Sequence, residues 1–87
     1  MSTQNLIIYK FIGLYQILEE LGLDLNFNII FEDNEDYLNE KLKKMKNCLV
    51  ISNKNYSDIP NQFVLENMPI NIFNLIEKIN IEFLKIQ

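Results

Sequence analysis

The hydrophobic pattern changes period several times along the chain. Leu6-Ile7-Ile8-Tyr9 is an unbroken apolar run, the signature of a strand buried on both faces. Phe11, Ile12, Leu14, Tyr15, Ile17, Leu18 and Leu21 then recur at three- and four-residue spacing, with Gly22 placed to end a helix. Phe27-Asn28-Ile29-Ile30-Phe31 reads as a second strand. Asp33 or Asn34 can cap a second helix, whose stripe of Tyr37, Leu38, Leu42 and Met45 is narrow. Cys48-Leu49-Val50-Ile51 is a third buried strand and completes a βαβαβ pattern, which points to a parallel sheet.

Residues 53–61, with Asn55, Ser57, Asp58 and Pro60, read as a loop shorter than the dozen or so residues of a helical crossover. Gln62-Phe63-Val64-Leu65 is a short fourth strand. Pro69 and a possible cap at Asn71 lead into a last helix that runs to the chain end. Its Ile72, Ile76, Ile79, Phe83 and Ile86 keep a 4-3-4-3 spacing, and Phe73, Leu75 and Leu84 widen the apolar surface beyond one seam. Right-handed crossovers then place the strands in the order 2-1-3-4, a three-layer flavodoxin-like α/β fold with a mainly parallel sheet. Residues 1–87 form one domain.

Counting helices against sheet faces leads to a further expectation. The first and last helices should share one face, leaving only the thin second helix for the other. Part of that second face should therefore stay wet unless a second copy of the chain covers it. A symmetric homodimer is expected, with Phe73, Ile76, Phe83 and Leu84 on the last helix as candidate anchors; the rival is a monomer whose 53–61 loop folds over the sheet.

Composition narrows the chemistry. The 87 residues include 14 Ile, 13 Asn and 12 Leu but no Arg, Ala, His or Trp, a bias of the kind an A/T-rich genome produces. Asn clusters therefore carry little meaning of their own. The net charge is −4, and with no arginine for bidentate phosphate or guanine contacts, direct nucleic-acid binding is not expected. Lys41, Lys43, Lys44 and Lys46 follow Glu32, Asp33, Glu35, Asp36 and Glu40, so acid opens the second helix and base closes it, matching the macrodipole. One cysteine, Cys48, allows no internal disulfide. The N-terminus lacks a signal-peptide n-region and no apolar run reaches 18 residues, so a cytoplasmic location without membrane association is expected.

Without histidine there is no Cys/His metal constellation and no nucleophile paired with an imidazole base. Gly13 and Gly22 are the only glycines, too few for a phosphate-cradling or dinucleotide loop. No cofactor and no enzymatic activity are expected. Cys48, within a strand, reads as a buried apolar residue. Glu32 and Asp33 lie where an open α/β sheet places its ligands, and a divalent cation there is the sharper alternative to a solvated helix cap.

The element order resembles the receiver domain of two-component response regulators. Residues 28–38 (NIIFEDNEDYL) look like its second strand and helix, 47–52 (NCLVIS) like its third strand, and 63–79 (FVLENMPINIFNLIEKI) like its last strand, proline turn and last helix. The resemblance covers most of the chain in short pieces. It implies a pocket where an acidic pair holds Mg²⁺, an aspartate accepts a phosphoryl group and a lysine neutralises charge. Here those positions fall on Tyr9 and Lys10, on Ser52, and on Met68, and only Pro69 remains. The chain is also some 30 residues shorter than a full receiver, lacking the third helix, a strand and the fourth helix. A degenerate, shortened receiver with no metal and no phosphotransfer is implied. The resemblance extends to atypical regulators that carry a winged-helix DNA-binding domain downstream, through which DNA would be contacted.

Two functions are thereby expected to compete. One is a non-enzymatic regulatory and dimerisation module of a transcriptional regulator. The other is a free-standing small α/β carrier or ligand-binding protein using the strand ends near Tyr9, Glu32, Asp33 and Ser52.

Overall fold

Each apolar run pairs with its neighbour in register. In the computed structural model, which describes residues 4–21, 27–45, 47–56, 59, 61–65 and 71–85, the elements are β1 (Gln4–Tyr9), α1 (Ile12–Leu21), β2 (Phe27–Glu32), α2 (Glu35–Lys44), β3 (Cys48–Ser52), β4 (Gln62–Val64) and α3 (Ile72–Lys85). All strand pairs are parallel and the sheet order is β2-β1-β3-β4. Ile7 sits between Ile30 and Val50, and Ile8 between Phe31 and Ile51. This is a flavodoxin-like α/β arrangement in the order that right-handed crossovers dictate. The radius of gyration, 12.1 Å, is that of a compact domain of this length.

Caps fix where the helices begin. Asn34, not Asp33, caps α2: its side-chain oxygen accepts from the Asp36 and Tyr37 amides. Glu35 and Asp36 fill the first turn of α2, and Lys41, Lys43 and Lys44 its last. Asn71 caps α3 in the same way, accepting from the Phe73 and Asn74 amides at 2.9 and 3.3 Å. Gly22 and Pro69 lie outside the described residues.

Because β1 and β3 alternate, their side chains divide between two apolar layers. Leu6, Ile8, Leu49 and Ile51 pack with Leu14 and Leu18 of α1 and with Leu75, Ile79 and Phe83 of α3. The last helix therefore keeps Ile79 and Phe83 of the expected seam against the sheet but takes Leu75 into the core in place of Ile76: Leu75 is fully buried, while Ile72 and Ile76 are only half-buried. Phe83, expected at a dimer interface, is instead a core residue at 1% exposure, its ring tilted against Phe27 with centroids 5.5 Å apart. It is not available as a surface anchor.

The second face also departs from expectation. Ile7 and Val50 are completely buried and Tyr9 nearly so, within a single chain. Alongside Leu38, Leu42 and Met45 from the α2 segment, their cover includes Tyr56 and Ile59 from the β3–β4 connection. The short connection has no room for a crossover helix, yet two of its side chains do a helix's work of excluding water. Among the described residues, the centre of the second face, Ile7, Tyr9 and Val50, is covered without another copy of the chain.

Candidate functional site

In a doubly wound sheet ligands bind beyond the carboxyl ends of the strands where the connections reverse, here between β1 and β3. The structure brings Tyr9, Lys10 and Ser52 to that crevice; Met68 lies outside the described residues. What fills the crevice is the chain itself. The Tyr56 ring meets the Tyr9 ring edge-on, centroids 5.0 Å apart at 73°. Lys10 holds its ammonium 5.3 Å from the Tyr9 centroid and 5.9 Å from that of Tyr56, within cation–π range of both.

Lys10 occupies the left-handed region at φ 55°, an uncommon place for a residue with a side chain and one that costs about 1 kcal/mol. Its amide donates to the Glu32 carbonyl at 2.8 Å, tying the end of β1 to the end of β2.

Ser52 is completely buried. Its hydroxyl donates to the Lys54 carbonyl at 2.6 Å, with the Gln62 side-chain oxygen 3.4 Å away. Gln62 pins the connection from the other side. Its oxygen accepts from the Tyr56 amide at 2.8 Å, and its nitrogen donates to the Tyr56 carbonyl at 2.9 Å and to the Asn55 side chain at 3.0 Å. A half-buried amide with this many partners holds the segment in place. Tyr56 and Gln62 are thus central to the site, and sequence reading passed over both. Tyr56 was detectable as one of two large apolar residues in an otherwise polar stretch; nothing in the sequence marked Gln62.

This arrangement does not suit Mg²⁺. A hard cation needs carboxylate or carbonyl oxygens around an open position. Tyr9 and Lys10, where the resemblance to receivers implies acids, present a phenol ring packed on another ring and an ammonium that repels the ion. Among the described residues no group of three or more His, Cys, Asp or Glu converges to hold a metal.

Glu32, at the end of β2, has its carboxylate committed to structure. One oxygen takes the Lys41 ammonium and the other accepts from the Asp33 and Asn34 amides at 3.0 Å each. The Lys41 bond, with help from the two amides, holds the Glu32 carboxyl below the ordinary glutamate value of 4.5 against the opposing effect of burial. The pair therefore braces the entry to α2. A groove of about 440 Å³ beside it is lined by Glu32, Tyr37, Glu40, Lys41, Lys44 and Met45, with both signs of charge and Tyr37 largely exposed. Cys48 is buried, and desolvation pushes its thiol up, away from reactivity.

Comparison with protein-family models, with curated proteins and with solved structures finds no match to this chain. Among the described residues no helix is long and apolar enough to cross a membrane.

Proposed function

We propose that the chain is a non-enzymatic, receiver-like regulatory module that works through protein contacts, as the amino-terminal part of a transcriptional regulator whose DNA-binding portion lies downstream. The observation that carries this reading is the closed crevice between β1 and β3. The positions where a receiver would bind its cation and phosphoryl group are occupied by Tyr9, Lys10, Tyr56 and a Ser52 hydroxyl already donating to Lys54. Phosphoryl transfer depends on preset charge and an in-line approach. A buried hydroxyl without a base, beside an ammonium where the cation should be, provides neither. The same plug argues against a carrier or ligand-binding protein that uses these strand ends.

Dimerisation belongs to the proposal on changed grounds. It rests on the outer surface of α3, where Phe73 and Leu84 are 67% and 69% exposed and Ile76 is half-buried. Phe73 adjoins Ile76 one turn on, and Leu84 lies farther along the same flank, so exposed apolar side chains line one side of the helix, the kind of surface that marks a contact.

The test is intact-mass measurement after incubation with an acyl phosphate and Mg²⁺. Unchanged mass is expected; a stoichiometric gain of one phosphoryl group would overturn the non-catalytic reading.

A further inference from the structure

Helical geometry decides where the exposed apolar residues of the two helices on the first face point. On α1, Tyr15 meets Phe31 of β2 with centroids 5.8 Å apart, so that side of the helix looks toward the β2 edge. At about 100° per residue, Ile17 and Leu21 then lie on the opposite flank, toward α3. Both are substantially exposed, at 40% and 46%. On α3, the side carrying Phe83 reaches Phe27 of β2 and so looks back toward α1. Continuing around the helix from Phe83 in that direction come Ile76, Asn80, Phe73 and Leu84. The two helices share the sheet face whose core holds Leu14, Leu18, Leu75 and Ile79. Their exposed apolar flanks therefore adjoin.

From this placement we infer that a second copy of the chain docks across α1 and α3 together, with Ile17 and Leu21 joining Phe73, Ile76 and Leu84 in one two-fold interface. This rests on the dimerisation reading above and adds α1 to it.

Area supports the inference. Taking about 200 Å² for each whole apolar residue, the exposed fractions of Ile17, Leu21, Phe73 and Leu84 amount to about 450 Å² per protomer. A standard interface draws about 800 Å² from each partner, of which roughly 60% is apolar, so this patch matches the apolar share that a stable dimer requires. The stripe is also self-complementary. Phe73 and Leu84 stand about 16 Å apart along α3, and antiparallel packing about a two-fold axis sets Phe73 of one copy on Leu84 of the other, twice, by one symmetry operation. Half-buried Asn80 between them supplies the kind of polar residue that fixes register in helix pairs.

Sedimentation equilibrium of the 87-residue chain tests the interface, with Phe73→Glu on α3, Ile17→Glu on α1, and Ile12→Glu and Lys78→Glu as exposed controls outside it. Circular dichroism checks that each variant folds. The expected result is a wild-type dimer whose dissociation constant rises roughly tenfold or more in both Phe73→Glu and Ile17→Glu and holds in the controls. A wild-type chain that stays monomeric to about 100 µM, well above the micromolar affinity of ordinary weak complexes, would overturn the dimerisation reading itself. A wild-type dimer that Phe73→Glu breaks and Ile17→Glu leaves intact would overturn the α1 contribution and leave dimerisation through α3 standing. A dimer indifferent to both variants would place the interface elsewhere and overturn the inference.

Discussion

Replacing Tyr56 with alanine probes how the second face of the sheet is closed. Complete removal of a fully buried aromatic ring costs about 3–5 kcal/mol. Tyr56 is half-buried, so about half of that applies, and the lost edge-on contact with Tyr9 adds about 0.5–1 kcal/mol. The expected cost is therefore about 2–3 kcal/mol, a large share of the stability of so small a domain. In urea denaturation followed by circular dichroism this appears as a lower midpoint, and in thermal melts as a drop of roughly 10–20 °C. Tyr56→Phe, which keeps the ring, should stay within about 0.5 kcal/mol of wild type, as should Tyr37→Ala, at a residue that is 59% exposed. A loss below about 0.5 kcal/mol in Tyr56→Ala would show that the β3–β4 connection does not seal the face, and the account of Ile7 and Val50 burial would fail.

Gln62→Ala removes the amide that ties down both backbone groups of Tyr56; it should cost about 1–3 kcal/mol and speed proteolysis within 53–61, and unchanged cleavage would refute the pinning role. Glu32→Gln tests the brace at the start of α2 through pH. With its folded-state pKa lowered, Glu32 binds fewer protons in the folded than in the unfolded chain, so its stabilisation is full above 4.5 and is lost as pH falls through the folded-state value. The stability gap between wild type and Glu32→Gln should therefore be widest near neutral pH and close on acidification; a constant gap would refute the assignment. Ser52→Asp puts an acid where the proposed receiver likeness implies one, but buries a carboxylate in a completely enclosed site. It should destabilise the chain by at least about 2 kcal/mol without conferring phosphorylation, and a neutral or stabilised variant would mean that the crevice is open.

Strand order, helix positions and both helix caps were legible in the sequence because each depends on short-range rules: continuous apolar runs, three- and four-residue spacing, and an amide oxygen at a helix start. The errors arose where the deciding contacts are distant in sequence. Phe83 read as a surface anchor because spacing alone cannot tell which side of a broad apolar stripe turns inward; its contact with Phe27, 56 residues away, decides it. Leu75 was misplaced to the flank for the same reason. For the second face, cover by another copy of the chain was favoured over cover by the 53–61 loop, because a loop of polar residues carries no periodic signal that Tyr56 and Ile59 fold back onto the sheet. The site itself was half legible. Tyr9, Lys10 and Ser52 stood where strand ends converge, whereas their closure by Tyr56 and Gln62 depends on a hydrogen-bond network that no local pattern encodes.

The proposal that the crevice between β1 and β3 is sealed against cation and phosphate is tested most directly by paramagnetic relaxation. In ¹H–¹⁵N spectra of the chain titrated with Mn²⁺, the amides of Tyr9, Lys10, Ser52 and Asn53 should broaden no more than those of residues remote from the strand ends. Selective loss of those four signals at sub-stoichiometric Mn²⁺ would place a cation between β1 and β3 and contradict the account.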